Sequence, residues 1–65
     1  MLSICEYEKL IIDVILRNGP MYSRDLVQEV ERYPGIKVGS VTEIVLRLVV
    51  KGILKRDDDW KVVVP

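Results

Sequence analysis

Ten of the 65 residues are lysine or arginine and none is histidine, so the placement of the cations decides what chemistry the chain can do. Glu43, Arg47 and Lys51 recur at every fourth position. On a helix they form one polar strip, with Glu43 preceding Arg47 in the favourable orientation for an ion pair. Thr42 lies beside that strip, Arg24 and Lys37 stand upstream of it, and Arg56 and Lys61 follow near the end of the chain. Cations of this kind hold phosphate oxygens, and a threonine or arginine near the start of a helix can reach a base edge. Asp57-Asp58-Asp59 is a concentrated acidic run. It lacks EF-hand spacing, a glycine at the bend and a later glutamate ligand, so it reads as a solvated turn and not as a calcium site.

Catalytic chemistry is poorly supplied. Without histidine there is no imidazole base, and Ser-His-Asp and Cys-His arrangements are excluded. No P-loop or Gly-x-Gly-x-x-Gly pattern occurs. The single cysteine, Cys5, forbids an intrachain disulfide; beside Glu6 in an apolar helix it is expected to be a small core or interface residue. Trp60 is expected in the core, sharing one face of the last strand with Val62 and Val64. Tyr7, Tyr22 and Tyr33 are too scattered to build a base-stacking platform with it. The expectation is a non-enzyme with no cofactor, no metal and no small-molecule substrate.

The elements that position these groups can be read from spacing. Ser3-Ile4-Cys5-Glu6 fits a capping box, with Leu2 and Tyr7 at the positions of a hydrophobic staple. Leu10, Ile11, Val14 and Ile15 continue at helical spacing, and Gly19-Pro20 stops the helix, predicting helix 1 over about 4–18, with Asn18 or Gly19 taking a left-handed cap. Met21 and Tyr22 read as a short extended link. Ser23 is placed to cap helix 2, about 24–33, whose inner face is Leu26, Val27 and Val30. Tyr33-Pro34-Gly35 ends it. Ser40-Val41-Thr42-Glu43 fits a second capping box, opening helix 3 over about 41–51 with Gly52 just past its end. Ile53 to Arg56 and Trp60 to Val64 read as two strands joined by the three aspartates. The fold expected is α+β: a three-helix bundle with a helix-turn-helix, followed by a short C-terminal β-hairpin, in a single domain over 1–65.

Bulk properties limit the role further. Lysine plus arginine balance aspartate plus glutamate, ten against ten, for zero net charge. Non-specific nucleic-acid binders are usually clearly basic, so a histone-like or ribosomal role is disfavoured. The second half is mildly basic, carrying Lys37, Arg47, Lys51, Lys55, Arg56 and Lys61 against Glu43, Asp57, Asp58 and Asp59. A domain this small buries only about 60% of its unfolded surface. With no disulfide and no metal site, it needs tight packing or a partner, and an apolar fraction of 49% suits either. The start, MLSICEYEK, has no basic leader region, and no apolar run approaches membrane-spanning length. A soluble, cytoplasmic chain without membrane contact is expected.

Taken in order, these stretches resemble a winged-helix domain, similar to a small single-domain member of archaeal or bacterial type. LIIDVILRNGPMYSRDLVQEV is similar to the family's first helix, Gly-Pro link and second helix. GSVTEIVLRLVVKGILKR is similar to its third helix and the following Leu-x-x-x-Gly-Ile junction, here Leu48, Gly52 and Ile53. The resemblance covers nearly the whole chain and makes the hairpin the wing. It implies most often a DNA-binding, transcription-regulator-like homodimer: Thr42 and Arg47 would enter the major groove of double-stranded DNA, Arg24, Lys37, Lys51, Arg56 and Lys61 would hold phosphates, and Leu46, Val49 and Val50 would contact the second subunit. Many winged helices serve instead only to dock proteins.

Helix 3 leaves both roles open. Val41, Ile44, Val45 and Leu48 form an ordinary core stripe, but Leu46, Val49 and Val50 widen the apolar arc beyond it. Either Val49 packs under the hairpin and the other two are isolated exposed residues, or Leu46 and Val50, with Leu2 or Ile4, form a patch for a second subunit or another protein. Zero net charge, the acidic hairpin tip and the wide apolar arc favour a protein-interaction module, an adaptor or small subunit; the family's habit favours DNA.

Overall fold

The computed structural model describes residues 3–37 and 39–65. The elements run α1 (Ile4–Asn18), β1 (Met21–Tyr22), α2 (Ser23–Glu31), α3 (Ser40–Val50), β2 (Lys55–Arg56) and β3 (Lys61–Val63). This is an α+β fold in which a helix-turn-helix is followed by a wing-like hairpin.

The first helix begins as its sequence dictates. Ser3 Oγ accepts from the Glu6 amide at 3.2 Å, and the Ser3 amide donates back to Glu6 Oε1 at 3.3 Å, closing the capping box. The staple expected between Leu2 and Tyr7 lies outside the described residues. Tyr7, Ile11, Val14 and Ile15 are the buried stripe. Gly19 ends the helix with φ +78° and ψ −166°, its amide donating to the Ile15 carbonyl at 2.7 Å. An added Cβ would meet nothing within 4 Å there, so the backbone angle and not crowding calls for glycine.

The structure departs from expectation at the two following helix starts. Ser23 does not cap α2; Tyr22 holds the cap position without a side-chain bond, and Ser23 is the first helical residue. Its hydroxyl instead accepts from Arg56 Nη1 at 2.9 Å. The capping box at Ser40-Glu43 is likewise absent. Gly39, left-handed at φ +90°, is the cap residue of α3, and the Ser40 amide already bonds the Lys37 carbonyl at 3.2 Å. Gly39 donates its own amide to Glu31 Oε2 at 3.2 Å, tying the start of α3 to the end of α2. The end of α2 also comes earlier than predicted, at Glu31, because Arg32 and Tyr33 tighten into bonds to the carbonyls three residues back.

The end of α3 follows expectation. Gly52 has φ +82°; its amide bonds the Val49 carbonyl at 3.1 Å and the Ile53 amide bonds the Leu48 carbonyl at 3.0 Å, the bond pair of a Schellman motif. The sheet has three strands and not two. β3 is central in the order β1-β3-β2, antiparallel to both, with Met21 opposite Val62, Tyr22 opposite Lys61, and Arg56 also opposite Val62. The expected link at Met21-Tyr22 is thus an edge strand, recruited by the free side of β3.

β2 is shorter than predicted because the Ile53 and Leu54 amides both bond the Leu48 carbonyl at the exit of α3, and the hairpin turn explains why β3 starts only at Lys61. Asp57 Oδ1 accepts from the Asp59 and Lys61 amides, each at 2.9 Å, and the Trp60 amide bonds the Asp57 carbonyl at 3.0 Å. The turn closes through Trp60 in the left-handed region at φ +64°. Trp60 therefore leaves the strand's alternation. It is 71% exposed, which overturns its expected place in the core beside Val62 and Val64.

The core gathers Tyr7, Ile11, Val14 and Ile15 of α1, Leu26 and Val30 of α2, Val41, Val45 and Leu48 of α3, with Leu54 and Val62 from the hairpin. Tyr7 also serves as a tie: its hydroxyl accepts from the Lys37 amide at 3.0 Å, fixing the approach to α3 against α1. Cys5, expected in the core or an interface, is exposed on the first turn of α1.

Candidate docking face on the third helix

The burial pattern of α3 fixes which side chains are available. Val41, Val45 and Leu48 point inward. Ile44 and Val49 stand on the flanks, half-buried against the core. Thr42, Glu43, Leu46, Arg47 and Val50 are exposed. Within the apolar arc predicted from the sequence, Val49 therefore belongs mainly to the domain's own packing. Leu46 and Val50 do not: they are 51% and 87% exposed. Four residues apart, they share one side of the helix, with the polar strip adjoining.

That strip is internally paired. Arg47 Nη2 lies 3.2 Å from Glu43 Oε1, one turn away, with both side chains more than half exposed. An exposed pair of this kind contributes about 0.3–0.5 kcal/mol, so it orients the groups without locking them. Because no capping box holds Glu43, its carboxylate stands on the outward face as a charge.

The remaining candidate phosphate contacts are dispersed. Arg24 is exposed on the first turn of α2, Lys37 on the approach to α3, and Lys51 at the exit of α3. Arg56 is half-buried and bonded to Ser23, and Lys61 sits 5.3 Å over the Tyr22 ring, across the β1–β3 pairing. Arg24, Arg56 and Lys61 thus belong to the junction of α2 with the sheet. Lys37 and Arg47 meet elsewhere, along an open groove whose other lining includes Ile4, Tyr7, Glu43 and Ile44. Ile4, weighed as a patch residue from the sequence, lines this groove and is exposed. The aromatic partner of Lys61 was not foreseen, since nothing in a two-residue link announces strand pairing.

A second shallow depression, between the end of α1 and β3, is lined by Ile15, Leu16, Gly19, Pro20, Val63 and Val64 and has no ionisable side chain on its wall. Among the described residues no cluster of histidine, cysteine, aspartate and glutamate is arranged to hold a metal ion. Among them, too, no helix is long and apolar enough to cross a membrane. Compared with known proteins, the chain matches no family model, no curated protein and no solved structure.

Proposed function

We propose that the chain is a non-enzymatic, cytoplasmic protein-docking module of the winged-helix kind, working through the outward face of α3. The observation that carries this reading is the exposure of Val50 and Leu46 in the middle of the face that a helix-turn-helix would lay into DNA. Burying apolar surface yields roughly 25 cal/mol per Å² when the opposing surface is apolar too. Glu43 beside this ridge, and the exposed Asp58 and Asp59 at the hairpin tip, repel phosphate.

A second reading, a transcription-regulator-like binder of double-stranded DNA, is favoured by one specific observation. Arg24, Lys37, Lys51 and Lys55 are exposed and take part in no ion pair among the described residues. Four phosphates neutralised by them would give a slope of about −3.6 in log affinity against log salt. Duplex titration across salt concentrations separates the readings. The docking reading expects no such slope. A slope of that size, reduced by about 0.9 in Lys51→Ala, would replace docking with DNA binding. Leu46→Glu provides the complementary test, abolishing partner capture while far-UV circular dichroism remains unchanged.

A further inference from the structure

Resting on the docking reading above, we infer that the occupant of the α3 face is a second copy of this chain, packed with α3 antiparallel to α3 across a two-fold axis. Glu43, Leu46 and Val50 are spaced three and then four residues apart, the spacing of a seam between two helices. With the axis level with Leu48, Leu46 of each copy faces Val50 of the other. The same two residues supply both halves of the contact, as an isologous interface requires.

Charge selects the orientation. Glu43 stands in the first turn of α3 and Lys51 just past its last residue. Antiparallel packing brings each Glu43 level with the far end of the other helix, within reach of the second copy's Lys51. Parallel packing would set Glu43 against Glu43 and Lys51 against Lys51. Lys51 has no ion-pair partner within its own copy among the described residues, so a carboxylate from outside meets no competitor there. The two Arg47 side chains approach near the axis, and each keeps its own Glu43 at 3.2 Å. The opposite flank of α3 carries Thr42 and the half-buried Val49 and no charge.

Beyond the charged ends of the seam an apolar residue follows. Ile53, exposed just past α3, falls level with the second copy's Glu43, beside the groove that Ile4 and Ile44 line. A pair of helices this short covers less than the ~1,200–2,000 Å² of stable interfaces, so the dimer is concentration-dependent and not permanent. Dimerisation through α3 also withdraws that helix from any nucleic-acid groove.

Sedimentation equilibrium over a wide concentration range tests this on the full chain. The weight-average mass should climb from 7.5 kDa toward twice that value. Val50→Glu should hold the chain monomeric with unchanged circular dichroism. Leu16→Glu, at an exposed apolar site on α1, should leave the dimer intact. Glu43→Lys and Lys51→Glu should each weaken association several-fold, and the double swap should restore it. A wild type that stays monomeric up to its solubility limit overturns the inference and leaves a foreign chain as occupant, with the docking reading still standing. A dimer indifferent to Val50→Glu, or single swaps that the double variant does not rescue, overturns it equally. The docking reading itself fails through a different measurement, the salt-dependent duplex binding described above.

Discussion

Replacing Trp60 tests the hairpin at the point where structure and sequence reading diverge most. In Trp60→Gly three effects compete. A left-handed conformation costs a non-glycine residue roughly 1–2 kcal/mol, and glycine relieves that. Glycine in turn loses about 0.5–1 kcal/mol through its greater freedom in the unfolded chain. The remaining term is burial. Trp60 is 71% exposed, so under a third of its surface is covered. Of the ~150–250 Å² that a fully buried aromatic removes from water, that fraction is worth roughly 1–2 kcal/mol at 25 cal/mol per Å². The terms largely offset one another, and the variant should lie within about 2 kcal/mol of the parent; a tryptophan in the core would cost ~3–5 kcal/mol.

A comparison with Trp60→Ala isolates the backbone. Both variants remove the indole, but alanine retains the left-handed penalty. Glycine should therefore be the more stable of the two by about 1 kcal/mol, opposite to their order in a helix or strand. Urea unfolding followed by far-UV circular dichroism reads both differences as midpoint shifts at constant slope. If alanine equals or exceeds glycine, the positive φ at Trp60 is wrong; if both variants lose more than about 3 kcal/mol, so is the exposure.

The two faces of α3 should separate just as clearly. Leu48→Ala, at a fully buried position, should destabilise by about 2–5 kcal/mol in urea unfolding of the monomer, whereas Val50→Ala should stay within about 0.5 kcal/mol; similar losses at both would mean the face is assigned wrongly. The two serines that open α1 and α3 make a matched pair. Ser3→Ala should lose about 1 kcal/mol with its capping bond, while Ser40→Ala, whose hydroxyl caps nothing, should lose markedly less, and equal losses in thermal or urea melts would restore the second capping box.

What could be read from the sequence was what is local and repeated. The stripe Leu10, Ile11, Val14, Ile15 and the stripe Val41, Ile44, Val45, Leu48 are each set by spacing within one helix, and all are buried except Leu10 and Ile44, which are half-buried against the core. The Gly52 exit was legible for a similar reason, because a glycine after the last periodic residue has few other uses. Caps were harder, because two signals competed one residue apart. At α3 a glycine precedes Ser-x-x-Glu, and the distant Glu31 carboxylate, which binds the Gly39 amide, favours the glycine. β1 was hidden entirely, since Met21 and Tyr22 become a strand only because β3 has a free side. Trp60 failed for another reason. Alternation along a strand carries no information once one residue takes a positive φ. The candidate site suffered most, since the Arg56–Ser23 and Lys61–Tyr22 contacts join residues far apart in the sequence.

Those contacts bear on function less than they first suggest. A cation bonded to a serine or resting on a tyrosine ring can still turn to phosphate, and the exposed Glu43–Arg47 pair is too weak to forbid it. Intramolecular engagement of Arg47, Arg56 and Lys61 therefore does not by itself exclude DNA. Desolvation discriminates better. A fully buried valine or leucine gains about 1.5–3 kcal/mol, but only against an apolar surface, and the major groove offers little beyond thymine methyls. Glu43, one turn before Leu46 on the same face, would carry into that groove a carboxylate that its exposed pair with Arg47 only weakly offsets. Opposite a protein surface carrying an apolar strip and a cation, Glu43, Leu46 and Val50 are all satisfied at once. The proposed docking role thus rests on the composition of the α3 face and not on the number of cations around it.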